Sequence, residues 1–201
     1  MRYPTILLFG APGAGKGTQG RILAQVPGLF HLSCGDVFRS LKPDSRLGRI
    51  FDEYSSRGAL VPDSVTIELW ESALEGARLS GAFDPDRDLL ILDGIPRNRA
   101  QARMMEERIE VLRLIHLQCR NRAALFDRLR RRALRENRYD DASDAVISHR
   151  LEVYQKETAL VLDYYPADRI VEVDADQSPL LVLASLAHII DGVRVMMRQP
   201  A

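Results

Sequence analysis

A glycine-rich run at residues 10–18 constrains this chain more than any other stretch, because it follows a short apolar segment and opens a helical pattern. Its four glycines let successive backbone N–H groups turn toward one point, where an anion also meets the positive end of the following helix. Lys16 adds a mobile positive charge. The spacing matches the Walker A pattern and predicts a site for nucleotide phosphates, although Gly17 replaces the usual hydroxyl residue and Thr18 follows it.

A second motif lies at residues 89–93, where four apolar residues are followed by Asp93. This order matches the Walker B pattern, whose aspartate holds a magnesium ion, here expected through water. An aspartate at the end of a strand is also a common turn residue, so Asp93 alone would decide little. Together the two motifs predict a phosphate and magnesium site on neighbouring strands.

Apolar runs that alternate with helical patterns set the expected fold. Strands are predicted at residues 5–9, 30–32, 89–93, 112–117 and 170–173, and helices between them. This order predicts an α/β doubly wound fold, a parallel sheet of about five strands flanked by helices. Ligands bind such sheets beyond the carboxyl ends of the strands, where Gly10 and Asp93 both lie. The helical pattern lapses at residues 134–142, which indicates a hinge or flap, and then predicts one helix to about residue 164.

Composition excludes several classes of protein. The 28 basic and 28 acidic residues cancel, so no net field recruits nucleic acid or a membrane. Cys34 and Cys119 fit neither a disulfide framework nor a zinc site, and a reducing cytosol suits them. The apolar run at residues 180–197 is interrupted by a histidine and two charged residues, which favours a helix docked on the core over a membrane span.

Arginines supply the remaining candidate chemistry. Arg97 follows Asp93 closely and has the geometry to clamp a second phosphate group, although a surface ion pair is the simpler interpretation. Residues 120–138 hold eight arginines, among them Arg128 and Arg132 on one helix face. Three interpretations are open: a lid that carries arginines to a transferring phosphate, a nucleic-acid patch, or a solvated helix face. The segment lacks interleaved aromatic residues for base stacking, so we prefer the lid.

Taken together, these motifs resemble adenylate kinases over essentially the whole chain. Residues 10–18 are similar to that family's P-loop, including its Gly17-Thr18 ending, the Asp-Gly-Ile-Pro-Arg at 93–97 resembles its Asp-Gly-Phe-Pro-Arg, and the Arg-Tyr-Asp-Asp at 138–141 resembles its lid motif. The resemblance implies a P-loop kinase with a core of residues 1–32, 62–130 and 142–201. A small lobe that binds the nucleoside monophosphate is expected at residues 33–61, and a short lid at residues 131–141.

The resemblance also implies roles for individual residues. One set is expected to hold ATP: Gly13, Ala14, Gly15, Lys16, Gly17, Thr18, Arg128, Arg132 and Gln177. A second set is expected to contact AMP: Cys34, Arg39, Ala59, Leu60, Val61, Gly94, Arg97, Gln101, Arg138 and Arg150. The groups expected to act in catalysis are Lys16, Arg97, Arg132, Arg138 and Arg150. Magnesium is expected at Thr18 and Asp93, through water, and no zinc is expected because the lid lacks cysteine.

The implied activity is reversible, magnesium-dependent transfer of the ATP γ-phosphoryl group to AMP by a cytoplasmic monomer, with no nucleic-acid or membrane partner. A uridylate/cytidylate kinase or a broader nucleoside monophosphate kinase is one alternative, since Pro96, Arg97 and Asn98 resemble the motif of those enzymes and Cys34 replaces a threonine. Gln101 favours adenine. A P-loop ATPase or switch without a nucleotide acceptor is the alternative from another class, and a nucleic-acid-binding module that uses the arginine-rich segment is a third.

Overall fold

A computed structural model of the protein describes residues 2–136, 138 and 143–198. Its five strands pair side by side in parallel, in the order β2-β3-β1-β4-β5. They are β1 (Tyr3–Phe9), β2 (Leu29–Ser33), β3 (Leu89–Asp93), β4 (Ile109–Gln118) and β5 (Ile170–Asp174). The predicted doubly wound, five-stranded parallel sheet is therefore confirmed.

Eight α-helices connect and cover the strands in the part of the chain that the structure describes. They are α1 (Lys16–Leu23), α2 (Cys34–Arg39), α3 (Arg46–Ser55), α4 (Asp63–Leu79), α5 (Arg99–Met105), α6 (Arg122–Glu136), α7 (Asp144–Val153) and α8 (Pro179–Arg198). Helices α2 and α3 fall within residues 33–61, and residues 131–136 of the predicted lid continue α6.

The prediction of a single helix that extends to about residue 164 is wrong in one respect. After α7 the chain makes a π turn over Tyr154–Thr158 and then a 3₁₀ helix over Ala159–Tyr164. The wider turn begins where the Tyr154 hydroxyl lies 3.2 Å from His116 Nε2 on β4. The apolar pattern of the sequence does not distinguish an α-helix from these short turns of different pitch.

The sheet is covered on both faces, which explains why its strands lack polar alternation. Ile6, Leu8 and Ile91 point to one side and pack with residues of α1, α6, α7 and α8. Leu7 and Leu92 point to the other side and pack with residues of α2, α4 and α5. Parallel strands whose carboxyl ends share one edge therefore place the loops after β1 and β3 next to each other.

Helix α8 was expected to dock on the core, and it does so. Val182, Leu186, Ile190 and Val193 are at most 4% exposed and belong to the core on one face of the sheet. Among the described residues, Pro179–Met197 is the one stretch of helix long and apolar enough to cross a membrane by length and composition alone. Its four buried residues lie along one side of the helix, as in a helix that packs on a core.

Close packing between α1 and β2 gives a stability prediction. A Cβ added at Gly20 would lie 2.2 Å from Nε2 of His31, whose side chain is 5% exposed and has little room to move. We expect Gly20→Ala to lower the free energy of unfolding by about 1–3 kcal/mol through overpacking. Gly76→Ala in α4 is the matched control, since a Cβ there meets nothing within 4 Å. The control should gain up to about 1 kcal/mol from helix propensity, and equal urea midpoints for the two variants would contradict this account.

Candidate functional site

A single cavity of about 620 Å³ lies beyond the carboxyl ends of β1 and β3. The two strands are direct neighbours there, since Leu8 pairs with Asp93. The cavity brings together most of the predicted site residues: Gly13, Ala14, Gly15, Lys16, Gly17, Thr18, Arg39, Ala59, Leu60, Val61, Asp93, Gly94, Arg97, Arg128, Arg132, Arg138, Arg150 and Gln177. Two of the predicted residues, Cys34 and Gln101, do not line it.

The glycine-rich loop forms the floor of the cavity. At Gly10 the backbone φ is +143°, and an added Cβ would lie 2.6 Å from the Leu117 carbonyl oxygen, so only glycine fits there. In the described part of the chain no side chain caps the N-terminus of α1, which begins after Gly15. The first N–H groups of α1 are therefore left to face the cavity, which is the arrangement that binds phosphate.

Gly17 has a structural reason for replacing the usual hydroxyl residue. A Cβ at this position would lie 3.3 Å from Oδ2 of Asp93, closer than most such contacts. The Asp93 carboxylate, 6% exposed at the end of β3, thus approaches the backbone of α1 directly. Thr18, the next residue, also lines the cavity and supplies the hydroxyl group.

These two oxygen donors suit a hard cation such as magnesium, which takes few protein ligands beside phosphate and water. Among the described residues, no three His, Cys, Asp or Glu side chains are grouped so as to hold a metal ion by themselves. Asp93 and Thr18 at the edge of the phosphate site therefore fit an ion that arrives with a nucleotide.

Lys16 lies among the charged side chains that line the cavity. Its Nζ donates to the carbonyl oxygens of Gly10 at 2.7 Å and Ala11 at 3.1 Å, so the side chain folds back over the loop. Burial lowers the pKa of Lys16 to about 8; the Asp93 carboxylate opposes this shift, and the charges of three arginines, Arg132, Arg97 and Arg150, add to it. Lysine and arginine charges that repel one another converge here, which is the arrangement expected around a polyanion.

One end of the cavity is lined by the loop after β3 and by residues 59–61. Arg97 Nε donates to the Gly94 carbonyl oxygen at 2.8 Å, which folds the side chain over its own loop. Ala59, Leu60 and Val61 line the same cavity and add apolar surface to it. An apolar surface and a guanidinium group in one cavity suit a ligand with a flat apolar part and an anionic part.

Another part of the cavity lies between α6 and the loop after β5. Arg128 Nη1 donates to the Ala175 carbonyl oxygen at 3.0 Å, and Gln177 and Val182 line the same end of the cavity. Arg128 and Arg132 lie on one face of α6, as their spacing predicted.

A network of charges joins α2 to α1 and to Arg138 at the cavity. Asp36 in α2 accepts from Arg39 Nη2 at 2.5 Å and lies 3.5 Å from Arg21 Nη1 and 3.9 Å from Arg138 Nη2. Burial alone would raise the pKa of Asp36, but the hydrogen bond and charge of Arg39, with the charges of Arg21 and Arg138, hold it below its usual value. Glu136 accepts from Arg138 at 2.5 Å.

Cys34 and Gln101 lie behind the cavity wall. Cys34 is 1% exposed, and burial raises the pKa of its thiol to about 11. Gln101 is fully buried, its Nε2 donates to Asp63 at 2.8 Å, and its Oε1 accepts from the Arg97 backbone N–H at 2.7 Å. Neither side chain lines the cavity as described, and their contact with a base stays a prediction. Of the predicted lid motif at 138–141, only Arg138 is among the described residues.

Sequence reasoning did not single out several cavity residues: Arg21, Asp36, Arg131, Arg135, Glu136 and Tyr154. Asp36 and Arg39 are spaced i,i+3, which in a helix predicts an ion pair. For Tyr154 the sequence offered no signal, because its contact with His116 joins residues 38 positions apart.

Comparison with known proteins identifies one family. The family model described as adenylate kinase matches residues 8–170. An adenylate kinase of Cyanothece sp. is 36% identical over 94% of this chain and 96% of its own, and one of Kocuria rhizophila is 37% identical over 94% and 95%. An adenylate kinase of Corynebacterium urealyticum is 37% identical over 86% of this chain and 91% of its own.

The matched residues include the glycine-rich loop, Asp93 and Arg97, and the observed sheet is the one expected from those motifs. Fold, phosphate site and sequence relationship agree. The chain belongs to the adenylate kinase family, whose members transfer phosphoryl groups between ATP and AMP.

Proposed function

We propose that this protein catalyses the reversible transfer of the γ-phosphoryl group from magnesium ATP to AMP, giving two ADP. The observation that carries the proposal is one continuous cavity with a donor end at Arg128 and Gln177 and an acceptor end at residues 59–61. Lys16 and Arg97 line the same cavity. Two nucleotides placed with their phosphates inward would meet at the cations.

On the donor side, the phosphates of ATP bind the N–H groups of the glycine-rich loop and the start of α1. Lys16 leaves the carbonyl oxygens of Gly10 and Ala11, its partners at 2.7 and 3.1 Å, and pairs with a phosphate. Arg132 supplies a further cation to the same phosphates, and Arg128 with Gln177 flanks the base. A magnesium ion, held by Asp93 and Thr18 through water, supplies charge neutralisation when bound.

On the acceptor side, Arg97 and Arg39 hold the phosphate of AMP, and residues 59–61 contact its base. Arg138 and Arg150 reach the group in transfer. The transition state carries charge over its equatorial oxygens, so the aligned cations supply most of the stabilisation and no general base is required.

The chain is organised for this reaction as a core, a monophosphate-binding lobe at residues 33–61 and a short lid at residues 131–141. The ion pairs of Asp36 lie where the three parts meet, since they join α2 in the lobe to α1 in the core and to Arg138 at the lid. Closure of both parts excludes water and so suppresses hydrolysis, and reopening contributes to the turnover time. The proposed enzyme works as a cytoplasmic monomer, without a zinc ion in its lid and without a nucleic-acid or membrane partner.

An acceptor panel tests the proposed function. With magnesium ATP, we expect AMP to be phosphorylated with a kcat/KM at least about tenfold above those of UMP, CMP and GMP. A site that hydrogen-bonds one base, here through the predicted contact of Gln101, leaves polar groups unpaired with the other bases. UMP or CMP as the best acceptor would instead assign the chain to the uridylate/cytidylate type. Phosphate release from ATP that is indifferent to every acceptor would contradict a kinase and favour an ATPase.

A further inference from the structure

One carboxylate outside the cavity holds its acceptor wall together. Asp63, the first residue of α4, uses a single oxygen, Oδ1, to accept from Asn98 Nδ2 and from Gln101 Nε2, each at 2.8 Å. Neither Asp63 nor its two partners line the cavity. The three side chains therefore make a cluster directly behind the lining of the cavity.

The cluster extends directly to Arg97. Gln101 Oε1 accepts from the Arg97 backbone N–H at 2.7 Å, and Asn98 Oδ1 caps α5 by accepting from the Gln101 backbone N–H at 2.8 Å. With Nε2 fixed on Asp63, the Gln101 amide can present only its oxygen to Arg97. The orientation of that amide, and with it the position of the Arg97 backbone, follows from the Asp63 carboxylate.

Asp63 is also connected to the part of the cavity wall that residues 59–61 form. It follows the cavity-lining residues 59–61 after a single proline, and Thr66 in the first turn of α4 donates to the Val61 carbonyl oxygen at 3.4 Å. One end of the cluster thus belongs to the wall that faces the base, and the other end holds Arg97, which faces the phosphate.

We propose that Asp63 is a positioning residue that sets the distance between the base-contacting and phosphate-contacting walls of the acceptor site. This inference rests on the proposed function, since it takes the ligand of that site to be a nucleoside monophosphate. A displacement of about 1 Å at a reacting group can cost about a hundredfold in rate. Loss of the carboxylate should therefore affect the acceptor nucleotide and spare the donor.

The test compares steady-state kinetics of Asp63→Ala, Asp63→Asn and the wild-type enzyme with ATP and AMP varied in turn. We expect Asp63→Ala to raise the KM for AMP about tenfold or more and to leave the KM for ATP within about twofold, because Arg97 loses its fixed position. Asparagine keeps an oxygen that can accept both bonds, so Asp63→Asn should restore the KM for AMP to within about threefold of wild type.

Glu71→Ala is the matched control, since Glu71 lies on the same helix and accepts from Arg108 Nε at 2.8 Å outside the cavity. It should leave both KM values unchanged. If Asp63→Ala does not fold, Asn98→Ser decides, because serine keeps an N-cap oxygen for α5 but cannot carry the amide donor to Asp63. A raised KM for AMP in Asn98→Ser would support the proposal, and an unchanged one would overturn it.

Equal changes in the KM values for AMP and ATP, or no change in either, would overturn the positioning role while leaving the kinase assignment intact. Failure of the proposed function looks different, because the wild-type enzyme itself would then not phosphorylate AMP. A double variant adds a second readout: if Asp63 acts through Gln101, the combined effect of Asp63→Ala and Gln101→Ala on the KM for AMP should fall well below the product of the single effects. Multiplicative effects would contradict that route.

Discussion

Lys16→Met should reduce kcat for phosphoryl transfer by about 100- to 1,000-fold while the protein stays folded, the range found when one preorganised group that stabilises developing charge is removed. The charges of Asp93 and of three arginines act on the Lys16 ammonium group. Methionine keeps an apolar side chain of similar length but lacks the charge. The measurement is steady-state ADP formation from ATP and AMP, with circular dichroism to verify the fold.

Lys156→Met is the control for this variant, since it makes the same substitution at an exposed lysine that does not line the cavity. It should leave kcat unchanged. A pH profile gives a second check: the pKa of Lys16 is lowered to about 8, so the phosphate-binding charged form is lost as the pH rises through that value. We expect the wild-type kcat/KM for ATP to decline above about pH 8 and this decline to be missing in Lys16→Met. Near-normal activity in Lys16→Met would contradict the central role of the lysine.

Arg97→Ala should lower kcat/KM for AMP by about 100- to 1,000-fold and change the KM for ATP far less. The guanidinium group is folded toward the cavity by its bond to the Gly94 carbonyl oxygen at 2.8 Å, and no substitute cation lies on the same loop. Arg97→Lys should be intermediate, because lysine keeps the charge but cannot make two parallel bonds to a phosphate. Kinetics with each substrate varied separately measure these effects.

Arg78→Ala is the corresponding control. Arg78 pairs with Glu75 at 2.6 Å on the exposed side of α4, and its loss should leave both kinetic parameters within error of wild type. If Arg97→Ala weakened ATP and AMP equally, the division of the cavity into a donor and an acceptor end would be wrong.

Much of the fold follows from local features of the sequence. The glycine-rich loop, the continuous apolar strands and the terminal Asp93 are each encoded within ten or fewer consecutive residues, and the structure has them as predicted. Parallel pairing of β1 with β3 follows from the chemistry that the two motifs share. The full lengths of β1 and β4 were harder to predict from the sequence, because the first residues of each strand pair only with the other strand.

The parts of the site that the sequence did not predict depend on contacts between distant residues. The contact of Gln101 with a base stays a prediction, but its hydrogen bond to Asp63, 38 positions away, has no signal in the local sequence. Asp36 was not singled out, because its partners Arg21 and Arg138 are two among many arginines in this chain. An arginine-rich composition hides the few guanidinium groups that converge on one point, and only the packed fold distinguishes them.

Tracing the γ-phosphoryl group tests the central claim most directly. The acceptor panel would be run with ATP labelled in its γ-phosphate, and the labelled products separated after less than one turnover. We expect the label to appear in the β-phosphate of the ADP formed from AMP, with little in inorganic phosphate, because the closed site aligns two nucleotides and excludes water. Label that appears in inorganic phosphate at the same rate with and without AMP would contradict phosphoryl transfer between two nucleotides.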